Sequence, residues 1–167
     1  MIDFYNTGAY KMDAITAINT IRDTLRENLT DPYEVASGKY SDRTWIYSDE
    51  PIAGAKFPQI QILKTENPTE VIDIGPNYTE HERLFMRVWF STKNGFKVTI
   101  DGTEYKNAQF VEYMLGQIKS TLKGQFSELE DAGVGGYRNI NTTSVEYDAE
   151  TQLYFGAVVI RVWYFNR

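Results

Sequence analysis

Gln152-Leu153-Tyr154-Phe155-Gly156-Ala157-Val158-Val159-Ile160-Arg161-Val162-Trp163-Tyr164-Phe165 is the longest uninterrupted strand pattern in the chain. Successive side chains of a strand point to opposite faces. One face therefore carries Tyr154, Val158, Ile160, Val162 and Tyr164, and the other Phe155, Ala157, Val159, Arg161, Trp163 and Phe165. Both are largely apolar, which is the mark of a strand covered on both sides.

Working back from this strand, Leu84 to Ser91 shows the same alternation, with Leu84, Met86, Val88 and Phe90 on one face and Phe85, Arg87 and Trp89 on the other. Arg87-Val88-Trp89-Phe90 is echoed by Arg161-Val162-Trp163-Tyr164, so each strand sets an Arg and a Trp on the same side. Phe57-Pro58-Gln59-Ile60-Gln61-Ile62-Leu63 alternates too, its Pro suiting the start or edge of a strand, and Val71 to Ile74 is a candidate partner for it. Asp101-Gly102 between Phe96–Ile100 and Thr103–Tyr105 predicts a tight hairpin. Thr142 to Tyr147 and a turn at Asp148-Ala149-Glu150 lead into the last strand.

Two helices are predicted. From Met12 to Leu29, Ile15, Ile18, Ile21, Leu25 and Leu29 recur every three or four residues, and Asp31-Pro32 ends the pattern. From Ala108 to Lys123, Phe110, Val111, Met114, Leu115, Ile118 and Leu122 form one stripe, with Asn107 placed to cap the helix and Gly124 to end it. Tyr33 to Ala55 is a polar connection holding at most a short strand, its apolar cluster being Trp45-Ile46-Tyr47.

These elements make a single α+β domain over residues 1–167: a small, mostly antiparallel mixed sheet packed with two principal helices, an N-terminal extension at 1–11 and a β-hairpin insertion at 94–106. Two helices cover one face of a four- or five-stranded sheet. The face bearing Arg87, Trp89, Phe155, Arg161, Trp163 and Phe165 is then a candidate subunit interface, since aromatic residues and Arg are enriched in such surfaces. Helices on both sides of the sheet would account for the same pattern.

Composition narrows the function. Aromatic residues make up 14% of the chain, with Tyr foremost, which suits wet interfaces. A net charge of -6 without a block of Lys and Arg argues against gripping nucleic acid. The absence of Cys excludes disulfides and thiolate chemistry. No stretch of about 18 apolar residues is present to cross a bilayer, and no export signal opens the chain.

No catalytic, cofactor or metal site is expected. His81 stands between Glu80 and Glu82, but consecutive side chains point apart, and a solvated polar turn is the plainer reading. Gly133-Val134-Gly135-Gly136 follows acidic residues and lacks a Lys-Ser/Thr pair, so it reads as a turn rather than a phosphate cradle. Asp73, in Val71-Ile72-Asp73-Ile74, is the carboxylate nearest an apolar run and faces outward by alternation.

The order of these elements resembles the tail terminator family of tailed viruses. The resemblance runs from about Ile15 to Phe165. It is carried by Trp45-Ile46-Tyr47 with Asp49-Glu50, Phe57 to Ile62, Leu84 to Phe90, the Phe110 to Leu122 stripe, Tyr147-Asp148 and Val158 to Tyr164. It implies a structural protein of the virion, at the head-proximal end of the tail and assembled in the host cytoplasm. There a homo-hexameric ring caps the tail tube protein, ends its polymerisation and offers a surface to the head–tail connector. DNA would pass through the lumen without specific binding. Trp45, Tyr47, Asp101 and Gly102 are candidate partner-docking loop residues. Another head–tail joining, neck or tail-completion protein is the alternative within the same class. A small-ligand module with a Tyr- and Trp-lined pocket between sheet and helix is the alternative outside it.

Overall fold

The computed structural model describes residues 14–39, 42–48, 55–66, 69–71, 80–132, 134 and 140–166. The expected 1–11 extension, Asp49-Glu50, Asp73 and the glycines at 133, 135 and 136 lie outside these.

The first helix, α1, spans Ala14–Asn28. Ala17, Ile21 and Leu25, four residues apart, are buried, and Ile18 and Leu29 pack partly against the core. Ile15 does not join them and is 69% exposed. At about 100° per residue it lies roughly 120° round the helix from Ile21, outside the docking stripe.

Asp31-Pro32 opens a second helix rather than only closing the first. In α2 (Pro32–Ser37), Asp31 is the N-cap and accepts from the Tyr33 amide, Pro occupies the first turn, and Gly38 at φ 64 ends the helix in the left-handed conformation. This corrects the reading of 33–55 as a connection holding at most a short strand, which foresaw no helix there. What stabilises α2 is an ion pair: Arg43 grips the buried Asp31 with two bonds of 2.6 Å and donates two further N–H groups to the carbonyls of Lys56 and Pro58. One guanidinium thus ties the α2 cap to the entrance of the sheet.

The sheet has the order β1-β2-β4-β9-β7. β1 (Ile46–Tyr47) runs parallel to β2 (Gln59–Glu66), which is antiparallel to β4 (Glu80–Lys93), itself antiparallel to β9 (Leu153–Asn166). β3 (Thr69–Val71) pairs with β4, while β1 holds the outer edge of β2; of the expected partner strand Val71 to Ile74, only Val71 lies among the described residues. His81 sits inside β4, opposite Phe165 and Glu70, rather than in a polar turn.

The predicted 142–147 strand is two short ones, β7 (Ile140–Thr142) and β8 (Glu146–Asp148), both on β9. Thr142 faces Val158 but Glu146 faces Phe155, so the three residues 143–145 oppose only Gly156 and Ala157. That surplus residue is a bulge, and it divides the strand.

The hairpin forms as expected from β5 (Lys97–Ile100) and β6 (Thr103–Lys106), a separate two-stranded sheet. Asp101 (φ 48) and Gly102 (φ 80) are both left-handed, as a two-residue turn matched to strand twist requires.

α3 (Asn107–Gly124) buries the six stripe residues read from the sequence. Asn107 is not its cap: Lys106 holds that position, while Asn107 sits at φ 51 and its Oδ1 accepts from the Gly95 amide at 3.0 Å. α3 ends at Gly124 as expected, with Gln125 as its C-cap. After Gln125 the chain turns into α4 (Phe126–Asp131), drawn on by Leu129, which is buried in the core.

Both long helices cover one face of the sheet. Ile60, Ile62, Met86, Val88, Phe90, Val158, Ile160 and Val162 are buried there, and Phe110 meets Phe90 edge-on at 5.3 Å. α3 lies closest at Gly156, where a Cβ would fall 2.8 Å from Leu115 Cδ1 and 3.4 Å from Val111 Cγ1.

Two outcomes test this packing. Arg43→Ala strands a buried Asp31 carboxylate and should cost about 3–5 kcal/mol in urea unfolding. Gly156→Val overpacks the α3 contact and should cost about 1–3 kcal/mol in the same measurement.

Candidate functional site: the open face of the sheet

The residues of opposite parity define the other face. On β4 these are Phe85, Arg87 and Trp89, and on β9 they are Phe155, Ala157, Val159 and Arg161. The register sets Phe85 beside Arg161, Arg87 beside Val159 and Trp89 beside Ala157. β2 adds Leu63 beside Arg87 and Gln61 beside Trp89. Among the described residues no helix lies on this side.

The aromatic rings and guanidiniums are organised as pairs. Trp89 tilts against Phe155 with centroids 5.8 Å apart. Arg87 lies over the Trp89 ring at 5.7 Å, and Arg161 over Phe85 at 4.9 Å. Both arginines are exposed, Phe85, Trp89, Phe155, Val159 and Leu63 are half-buried, and only Ala157 is fully enclosed. A guanidinium over a ring is held by the ring's quadrupole, worth about 0.5–1 kcal/mol when exposed, and keeps its N–H edge free for an acceptor. Neither Arg87 nor Arg161 pairs with a carboxylate among the described residues.

The structure thus brings Arg87, Trp89, Phe155 and Arg161 together on one surface. Trp163 and Phe165 occupy register positions opposite Arg83 and His81 at the far end of the same ladder. Leu63 and Gln61 join the surface without having been predicted for it. Alternation in β2 marks their side, but only the strand register sets them beside Arg87 and Trp89.

The docking-loop candidates separate. Trp45 is 7% exposed and belongs to the core with Ile46, because β1 is drawn against β2 and α1, so its ring is not an open docking element. Tyr47 is half-buried and donates its hydroxyl to the Thr44 carbonyl at 2.6 Å. Asp101 and Gly102 are exposed at the hairpin tip.

A cleft of about 230 Å³ opens between the end of α1, α2, Ile100 and α3, lined by Leu29, Pro32, Val35, Tyr113 and Met114. Among the described residues its lining includes no strand of the main sheet and no Trp. Burial, then the nearby Tyr105 and Asp101, push the Tyr113 phenol above its ordinary value. Among the described residues no cluster of three or more His, Asp or Glu could hold a metal, and no helix is long and apolar enough to cross a membrane.

The β8–β9 turn beside this face is held by Asp148. Its carboxylate accepts from the Thr151 hydroxyl at 2.6 Å and the Glu150 amide at 2.9 Å, and these bonds, the hydroxyl first, hold its pKa below the usual range. Bonds to the charged form stabilise the turn above the ordinary value of 3.8, and that contribution is lost as pH falls through the lowered folded-state value. An NMR titration should place the Asp148 midpoint below 3.8 in the folded chain. Asp148→Ala should shift the Glu150 and Thr151 resonances at neutral pH as acid does in the parent. A midpoint at or above 3.8 counts against these bonds.

Fold and surface together define an α+β protein with a mixed sheet, helices on one side and an aromatic and arginine-bearing face on the other. No protein-family model matches the chain, and no curated protein matches it. Among solved structures, a chain of the virion of a native gene transfer agent particle is similar in outline, at 10% identity and a TM-score of 0.38, with 87% of this chain and 92% of that chain covered. A likeness of that size settles neither a family nor a role.

Proposed function

We propose that the chain is a non-catalytic structural protein of a virion that acts by assembly, as a tail-terminator-like subunit. Copies form a hexameric ring on the last ring of the tail tube, stop its growth and offer a joining surface to the head connector. The observation that carries this reading is the second face of the sheet, where Phe85, Trp89, Phe155 and Val159 stay half-buried under two exposed arginines. A neighbouring copy would complete the cover that the chain's own helices supply on one side alone.

A closed ring uses a heterologous contact, in which two different patches of each subunit meet. Capping of this kind needs shape and no chemistry, in keeping with the sequence-based expectation that the chain is not an enzyme. A lumen passing DNA must not hold it, and a chain of net charge -6 supplies no stripe of cations to bind phosphates.

Native mass spectrometry and negative-stain imaging, with the chain alone and then with tube protein, should show rings of tube width. A monomer under both conditions would overturn the proposal. Trp89→Ala should weaken assembly by at least about 30-fold, the loss typical of a buried aromatic anchor. It should leave the thermal midpoint within a few degrees of the parent. Equal loss of folding would instead place Trp89 in the core of the single copy.

A further inference from the structure

A heterologous contact needs a second patch, and charge identifies it. α4 carries Glu128, Glu130 and Asp131, all exposed, on a helix pinned by the buried Leu129. The Leu129 carbonyl accepts from the amide of Val134, itself buried, at 2.8 Å, which ties the end of α4 to the core. Among the described residues none of the three carboxylates makes an ion pair, and the side chain beside Glu128 is the amide of Gln125. Three negative charges within four residues thus stand exposed on a short element, and no cation among the described residues pairs with them.

α4 belongs to the helical layer: it follows α3, and the Gln125 side chain meets Asn28 at the end of α1. The arginine face lies on the other side of the sheet. Patches on opposite sides of a subunit propagate head to tail, as a ring requires. Packing two open faces against each other instead would bring Arg87 and Arg161 against their own copies, and like charges pressed together are strongly disfavoured. Resting on the self-assembly reading above, we propose that α4 of one copy docks through Glu128, Glu130 and Asp131 on Arg87 and Arg161 of the next. The aromatic rings beneath the guanidiniums form the apolar floor of that contact. The free N–H edges meet the carboxylates as charge-assisted hydrogen bonds.

Charge reversal tests the pairing directly. The receptor variant Arg87→Glu/Arg161→Glu and the donor variant Glu128→Arg/Glu130→Arg/Asp131→Arg should each lower self-association by about 100-fold or more, since each sets like charges in contact. Mixed together, they should rebuild an oligomer of parental size in which the two alternate, because an intact pair of patches and a doubly reversed pair then form in turn. Combining all five changes in one chain should restore the parental oligomer. Circular dichroism and thermal melts confirm that each variant is folded. If a variant does not fold, Arg87→Gln/Arg161→Gln and Glu128→Gln/Glu130→Gln/Asp131→Asn should each weaken association by at least about 10-fold.

If the parent assembles but the reversals leave its oligomer unchanged, or the mixture yields no mixed oligomer, the α4 contact is wrong while the ring reading stands. If the reversed face instead releases a bound segment of its own chain, seen as a newly protease-sensitive stretch with assembly intact, the contact is likewise wrong. A parent that stays monomeric with and without tube protein overturns both proposals.

Discussion

The antiparallel pairing of β4 with β9 is the constraint on which the remaining structure depends. It runs without a break from Glu80 opposite Asn166 to Lys93 opposite Leu153. Because side chains alternate with a strict period of two, this register settles at once which residues go inside. A slip of one residue would exchange the buried Met86, Val88, Val158 and Ile160 for Arg87 and Arg161. The other strands are secondary to this ribbon: β2 and β3 attach to β4, and β7 and β8 to β9. α3 seats on the ribbon where Gly156 lets it approach.

The two faces of that ribbon have different fates for a physical reason. One is filled by the α1 and α3 stripes and by the hairpin, whose Phe96 stacks on Phe110 at 5.5 Å. The other keeps rings of about 150–250 Å² each, partly screened by arginines laid across them. A guanidinium in that position moderates the exposure of an aromatic surface while a copy is alone. It remains an unpaired donor set when a partner arrives. On the assembly reading proposed above, the same residues would serve solubility before contact and specificity after it.

Much of this was legible in the sequence. Period-two alternation located the two long strands and sorted Arg87, Trp89, Phe155 and Arg161 onto one side, and the 3.6-residue period found all six buried residues of α3. The failures are instructive because each involves information that a local pattern does not hold. Trp45 reads as an exposed loop aromatic until β1 is known to pair with β2. Asn107 has the chemistry of a cap, yet its side chain is taken by the Gly95 turn twelve residues earlier. Pro32 marks a helix start as readily as a helix stop, and Arg43, which decides the matter, lies outside any local window.

The edges of the sheet bear on how such a molecule can associate. β1 has two residues, and β7 and β8 three each, with a bulge between the last two. Short, interrupted edges expose few unpaired backbone groups in line and are poor templates for an added strand. Growth by continuing the sheet is thereby disfavoured, and a face is left as the larger surface for contact. Face contact also permits a fixed angle between copies, which closure of a ring demands and strand addition does not readily supply. The bulge at Thr143 to Val145 divides β7 from β8, and on the assembly reading proposed above it would also steer association away from the edge toward the aromatic face.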